Sequence, residues 1–159
     1  GSAISPLAAL YDIVVTTNSG YPLDMNLYQG VKGMSAAAVI IKEGGTIILA
    51  AECREGLPAG SPCDNLLRSA QTPAELLAKI SSPGFEWPEQ WQPHIQTLIQ
   101  ARARILLHSS MSDELVRAAL LEPCPDIAAM VRAEVERIGP NARVAVLPWG
   151  PLTIPYIAA

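Results

Sequence analysis

The chain has 159 residues, half of them apolar and 16% charged, so its length and composition fit one ordinary domain with a continuous core. This composition excludes an intrinsically disordered chain, because disorder requires low hydrophobicity and high charge. A net charge of −4 argues against nucleic acid as the main partner, and the apolar runs are too short to span a membrane. Two histidines and three lysines are a small set of titratable groups for an acid–base catalyst.

The N-terminal residues and the cysteines also allow predictions. Gly1–Ala3 is typical of a cloning remnant, and residues 4–159 are predicted to form a single domain without a secretion signal. The three cysteines contain no C-x-x-C pair, which argues against a zinc site and against disulfide bonds. We therefore expect buried free thiols and a reducing, cytoplasmic location.

Short β-branched segments alternate with longer helical patterns along the chain. The strands are predicted at residues 13–17, 46–51, 105–110 and 144–147. The helices are predicted at residues 24–42, 72–80, 91–100, 113–121 and 127–138, with residues 53–64 as a loop. This alternation predicts an α/β fold, a Rossmann-like layered domain whose mostly parallel sheet has about 4–6 strands with helices on both faces.

Local signals set the expected helix boundaries. Asp24 is the expected N-cap of the first helix, and Gly44-Gly45 is expected to follow its end. Farther along, residues 91, 95, 98 and 99 are apolar and have the spacing of one buried helix face. By that spacing Trp91 is a core residue, which is the alternative to any role in binding.

The first turns of the first helix carry a polar, cationic pattern. In a parallel sheet, the loop after each strand and the start of the next helix lie at one edge, where ligands bind. Tyr28, Gln29 and Lys32 are three or four residues apart and share one helix face there. With the N–H groups and partial positive charge of the helix N-terminus, they predict a site for a carboxylate or phosphate. The alternative is a solvated Lys32 beside a packing Tyr28.

The residues around this pattern resemble a known family. The segment DIVVTTNSGYPLDMNLYQGVKGMSAA, residues 12–37, resembles the C-terminal domain of the nickel-pincer-nucleotide-dependent lactate racemase family, which includes 2-hydroxy acid racemases and epimerases. The closing segment LPWGPLTIP, residues 147–155, is similar to the end of that domain. The resemblance runs from about Tyr11 to Ile157.

The resemblance implies one half of a two-domain enzyme that inverts carbon 2 of a 2-hydroxy acid by hydride transfer to a nickel-pincer nucleotide. The tethering lysine, the nickel ligand and the bases belong to the family's N-terminal domain, the implied partner. This chain is then expected to have no catalytic residue, no metal ligand, no bound cofactor and no activity alone. Gln29, Lys32 and Trp91 are implied to contact the substrate, and Tyr28 and Lys32 the cofactor. Residues 53–64 replace a variable Gly-rich loop, which leaves the particular hydroxy acid open.

Two other functions fit the same residues. One is a non-catalytic α/β module that binds a small organic anion, and the other is an interdomain-docking module whose exposed cleft face binds a second domain. His108 ends a predicted strand at the same edge, where a capped or solvated histidine is the usual case and a functional role is the alternative.

Overall fold

The computed structural model describes residues 10–22 and 24–149. The strands of this part are Tyr11–Thr17 (β1), Ile41–Ala50 (β2), Ala103–His108 (β3), Glu122–Pro123 (β4) and Val144–Leu147 (β5). Its helices are Leu27–Ala38 (α1), Pro62–Arg68 (α2), Pro73–Ile80 (α3), Trp91–Gln100 (α4), Asp113–Ala118 (α5) and Ile127–Ile138 (α6). The C-terminal part of the family-like closing segment, residues 150–155, lies outside the described residues.

The strands form one sheet in the order β4-β3-β2-β1-β5, and every neighbouring pair is parallel. This confirms the predicted α/β fold and its parallel sheet. Ile47, Ile48 and Leu49 of β2 are all completely buried, as expected for a central strand covered on both faces. The strand order reverses direction between β1 and β5, which makes that junction the topological switch point of the sheet.

Helices cover both faces of the sheet and bury two separate apolar clusters. The larger cluster lies between the sheet and helices α1 to α4, and includes Val31, Met34, Leu66, Leu76 and Ile99. The smaller cluster packs α6 against the other face through buried Ile13, Ile48, Leu106 and Cys124. The helices therefore lie on both sides of the sheet, as the alternating pattern predicts.

Side-chain caps explain why several helix starts are confirmed. The hydroxyls of Thr72 and Ser112 and the carboxylate of Asp126 accept hydrogen bonds from the backbone N–H three residues on, which fixes the starts of α3, α5 and α6. Proline at the first position of α3 supports its start, and Gly139, with φ +106°, ends α6.

The predicted first helix and second strand have wrong boundaries. Asn26, and not Asp24, caps α1, because its Oδ1 accepts from the backbone N–H of Gln29 at 3.2 Å. The helix ends at Ala38, and β2 begins at Ile41, five residues before the predicted strand. Gly44-Gly45 therefore lies within β2, where the register with β1 shifts. A Cβ on Gly45 would lie 2.8 Å from the Ile41 side chain, so this irregular turn of the strand requires glycine.

The structure corrects the sequence analysis at two further segments. The loop predicted for residues 53–64 extends only to Ser61, which caps α2 by accepting from the N–H of Asp64 at 3.2 Å. The two-residue strand β4 follows α5, which ends at Ala118 and not at residue 121. Neither α2 nor β4 was predicted, since both are too short to show a clear period.

The apolar spacing in α4 identifies its buried face only in part, because Ile99 is buried and Ile95 packs against the core while the other two residues are exposed. Trp91 and Leu98 are 68% and 51% exposed, whereas Gln96 and Thr97 are buried. Their polar atoms are satisfied, because Gln96 Nε2 donates to the carbonyl of Ala119 at 2.9 Å and Thr97 Oγ1 donates to a carbonyl one turn earlier at 2.9 Å. The interpretation of Trp91 as a core residue is therefore wrong.

The three cysteines are free and buried, as expected. Burial is the main cause that raises the pKa of Cys53 and of Cys63 to about 12, so both side chains stay neutral thiols at physiological pH. No helix in residues 10–22 and 24–149 is both long enough and apolar enough to cross a bilayer.

Candidate functional site at the carboxyl edge of the sheet

The segment between β1 and α1 is held against the segment that follows β2. The backbone N–H groups of Cys53 and Glu55 donate to the carbonyls of Asp24 and Met25, each at 2.8 Å. Leu27 N–H donates in turn to the carbonyl of Gly56 at 2.9 Å. These three bonds fix the start of α1 at the carboxyl edge of the sheet.

Close packing on β1 fixes the same helix farther along. Thr16 Oγ1 donates to the carbonyl of Gly33 at 3.2 Å, in the buried space between strand and helix. A Cβ on Gly33 would lie 2.6 Å from the Thr17 carbonyl oxygen, closer than non-bonded atoms approach. Glycine at this position therefore allows α1 to lie directly against the end of β1.

Tyr28, Gln29 and Lys32 lie in the first two turns of this fixed helix. Tyr28 is partly buried against the larger core, Gln29 is partly exposed and Lys32 is exposed. Within the described residues, none of these three side chains makes a hydrogen bond or an ion pair. The helix N-terminus offers fewer free donors than expected, because the N–H groups of Leu27 and Gln29 are already bonded.

Trp91 reaches the same edge of the sheet from a different helix. It is the first residue of α4, which precedes β3 and runs back along the sheet, so the start of α4 lies near the carboxyl ends of the strands. The structure thus brings three of the four predicted site residues together on α1, while Trp91 begins the neighbouring helix α4. The described part shows no hydrogen bond that joins Trp91 to the three residues of α1.

A cavity of about 650 Å³ lies at the carboxyl ends of β1, β2 and β3, beside the switch point. Its walls include Asp24, Glu52 and His108, and none of the four predicted residues is among the described residues that line it. The sequence analysis missed this cavity as a site. The available signal was that polar residues follow three successive strands, the pattern that α/β domains use for ligand binding.

A larger cavity of about 990 Å³ lies at the opposite end of β3, away from this edge. Arg104 in its wall pairs with Glu122 at 3.0 Å and with Glu134 at 3.6 Å. Since these charges are already compensated, the cavity offers little free charge from Arg104 for a ligand.

The described residues contain no group of three or more His, Cys, Asp or Glu side chains placed to hold a metal ion. The polar groups at the start of α1 are instead an ammonium, an amide and a phenol. This donor set suits oxygen atoms of an organic anion rather than a metal ion.

Replacing Asn26 with alanine should lower the free energy of unfolding by about 1 kcal/mol, because Gln29 N–H loses its cap. Urea denaturation of the two proteins measures this difference. Asp24→Asn is the matched control, since an amide oxygen can still accept from Glu52 N–H, 3.3 Å away in the wild type. A larger loss in Asp24→Asn than in Asn26→Ala would contradict the assignment of the cap.

The parallel sheet and the helix layers on both of its faces define a Rossmann-like α/β domain. Residues 8–154 match the model of one known family, which is described as the lactate racemase C-terminal domain. The chain belongs to this family.

Individual relatives agree with this assignment. The chain is 33% identical over 142 residues to a lactate racemase of Thermoanaerobacterium thermosaccharolyticum and 36% identical over 142 residues to one of Lactiplantibacillus plantarum. Each match covers 87% of this chain and 33% of the relative. The solved structure of the lactate racemase apoprotein from T. thermosaccharolyticum superimposes with a TM-score of 0.79 at 32% identity, covering 89% of this chain and 34% of that one. The chain thus spans about one third of the length of these relatives.

Proposed function

We propose that this chain forms the substrate-facing half of the cleft in a two-domain racemase or epimerase that acts on 2-hydroxy acids. Family membership supports the reaction class. The observation that carries the assignment to the start of α1 is that Tyr28, Gln29 and Lys32 lie together on a rigidly held helix end while their side chains have no partner within the described residues.

In this proposal the chain binds and orients the substrate. The Lys32 ammonium and the Gln29 amide donate to the substrate carboxylate and to the oxygen on carbon 2, and the charge on Lys32 strengthens its bond. The exposed indole of Trp91 forms a wall that excludes water from the reacting carbon. Holding the carboxylate in one orientation presents the hydrogen on carbon 2 correctly, which is a large part of the rate enhancement in such a reaction.

The proposal places the remaining chemistry in an N-terminal domain of the parent protein. A nickel-pincer nucleotide bound there would supply the hydride acceptor for carbon 2. Tyr28 and Lys32 would contact the organic part of this cofactor, because their phenol and ammonium groups can donate hydrogen bonds to its oxygen atoms. The chain alone is then inactive and carries neither a catalytic base nor a metal, and the parent enzyme is cytoplasmic.

Lys32→Ala tests the proposal in the parent protein, produced together with the enzymes that mature the cofactor. Loss of a charge-assisted bond to the carboxylate should lower kcat/KM for racemisation of a 2-hydroxy acid by roughly 100-fold. Lys79→Ala, which removes an exposed lysine of α3, is the matched control and should leave kcat/KM unchanged. An unchanged rate in Lys32→Ala would refute the role of Lys32.

A second candidate, a module that docks another domain without catalysis, is favoured by the exposure of Trp91 and Leu98 on α4. A third is a non-catalytic module that binds a small organic anion at the same edge of the sheet, with Lys32 as an essential binding group. Titration of the chain with lactate, followed by amide NMR shifts, distinguishes the anion-binding module from half of a cleft. The anion-binding module should bind lactate measurably, and Lys32→Ala should abolish that binding. Half of a cleft should bind lactate weakly or not at all.

A further inference from the structure

The cavity beside the switch point contains groups that the proposed function does not use. Four separate segments line it, and its polar members are Thr17, Ser19, Asp24, Glu52, His108, Ser109 and Ser110. No lysine or arginine lines it among the described residues. At about 650 Å³ the cavity has the size of a small-ligand site.

Three of the four hydroxyl groups in this wall donate their hydrogens to backbone carbonyls, and the fourth, that of Ser109, accepts from the backbone N–H of Met111 at 3.2 Å. Thr17 Oγ1 donates to Pro148 O at 2.8 Å, and Ser110 Oγ donates to Glu52 O at 2.7 Å. Ser19 Oγ donates to the carbonyl of Trp149 in the same way. Because each hydroxyl has one hydrogen, the oxygens of Thr17, Ser19 and Ser110 can offer a ligand only lone pairs, and Thr17 Oγ1 already uses one of its own to accept from the Ser19 N–H at 3.2 Å.

His108 also provides a hydrogen-bond acceptor. Its Nδ1 lies 2.8 Å from the carbonyl oxygen of Cys124. A carbonyl only accepts, so Nδ1 must carry the hydrogen, and in the neutral ring Nε2 is an acceptor. The Asp24 and Glu52 carboxylates add further acceptors, although Glu52 is paired with Arg54 at 3.0 Å and therefore contributes little uncompensated charge.

From this excess of acceptors we propose that the cavity, which we call the acceptor cavity, binds a polyhydroxylated group through its vicinal hydroxyls. The acceptors lie on three separate segments, at residues 17–24, 52 and 108–110, so the matching donors must be distributed along the ligand, as in a sugar or ribose, and not concentrated in one ammonium group. The exposed indole of Trp149 in the wall provides an apolar surface for the C–H face of such a ligand. This inference is independent of the role proposed for Lys32.

Amide NMR titrations of the full chain test the acceptor cavity with defined probes. Methyl β-D-ribofuranoside represents the ribose of a nucleotide and D-sorbitol an open-chain polyol. We expect saturable shifts at Thr17, Glu52 and His108 with at least one of them, and the tighter probe identifies the source. The 2-deoxy ribofuranoside, which lacks the vicinal diol, should bind roughly tenfold more weakly. The proposal is overturned if neither probe gives a saturable shift at up to roughly 50 mM. It is also overturned if the deoxy compound binds as tightly as methyl β-D-ribofuranoside, or if the diamine putrescine binds more tightly than both probes.

Two variants locate the contacts. In His108→Asn the side-chain amide can still donate to Cys124 O while the Nε2 acceptor is removed, so the fold is retained and affinity for the better probe should fall roughly tenfold. Glu52→Gln changes an exposed acceptor that does not contact Cys124, and it should also lower the affinity. Glu136→Gln on α6 is the control, and its affinity should be unchanged. Unchanged affinity in both His108→Asn and Glu52→Gln would overturn the site. Long-range ¹⁵N correlation spectra of the free protein must also show hydrogen on Nδ1, and hydrogen on Nε2 alone would contradict the arrangement.

Discussion

Gly33→Val is expected to lower the free energy of unfolding by about 3 kcal/mol and to displace α1 from the sheet. The added Cβ would lie 2.6 Å from the Thr17 carbonyl oxygen and 2.9 Å from Leu49 Cδ1. The first of these atoms belongs to the backbone of β1 and cannot rotate away. Movement of α1 would also carry Lys32 away from its position, so the same variant should weaken any function that depends on this helix.

Guanidinium denaturation measures the stability change, and amide NMR shifts of α1 report its displacement. Gly30→Ala provides the matched control, because its Cβ would meet only side-chain atoms of Leu49 and Leu27, at 3.2 and 3.4 Å. Alanine also favours the helix by about 1 kcal/mol over glycine, so Gly30→Ala should be close to neutral or stabilising. Equal stability of Gly33→Val and the wild type would show that α1 does not need this close approach.

Glu134→Ala is expected to lower the free energy of unfolding by about 1 kcal/mol at neutral pH, because Arg137 loses its carboxylate partner and Arg104 keeps only Glu122. The Glu134 side chain is only 8% exposed, and its Oε2 lies 2.8 Å from Arg137 Nη2. It also accepts from Thr46 Oγ1 at 3.3 Å and lies 3.6 Å from Arg104. Loss of Glu134 therefore removes the polar contacts that join α6 to Thr46 in the middle of β2 and to Arg104 near the start of β3.

The contribution of Glu134 should depend on pH. The hydrogen bond from Arg137 is the main cause that holds the pKa of the Glu134 carboxyl below its ordinary value of 4.5. A carboxyl whose pKa is lower in the folded state stabilises the fold above about pH 4.5 and loses that contribution as the pH falls through the folded-state pKa. The denaturation curves of wild type and Glu134→Ala should therefore differ at pH 7 and converge at acid pH. Glu136→Ala, an exposed neighbour, should show no such convergence, and a difference independent of pH would contradict the ion-pair explanation.

The parts of the fold that were predictable from the sequence depend on local chemistry. Thr72, Ser112 and Asp126 cap their helices through bonds that span three residues, so the sequence contains the whole interaction. The start of β2 was not predictable, since its pairing with β1 crosses an irregularity at Gly44-Gly45 that forms only in the sheet. The same holds for α4, where Gln96 is buried because a carbonyl 23 residues away accepts its hydrogen bond.

The two parts of the carboxyl edge differ in the same way. The shared face of Tyr28, Gln29 and Lys32 follows from helix spacing alone. The acceptor cavity was missed because the hydroxyls of Thr17 and Ser110 became acceptors only through carbonyl partners on distant segments. The polar residues that follow the strands indicate where the cavity lies, but the sequence does not show that their hydroxyl groups act as acceptors.

Because β1 lies between β2 and β5, the sheet is completed around β1 only after β5 has been synthesised. Asp12 at the start of β1 accepts from the N–H of Arg143, 131 residues later, and Thr17 reaches Pro148 across the same distance. Until β5 emerges from the ribosome, β1 is an open edge, the kind of strand that invites pairing with another chain. The wall of the acceptor cavity at Pro148 and Trp149 is built last, so a ligand bound there would hold the final strand in place and bias the nascent domain toward its native state.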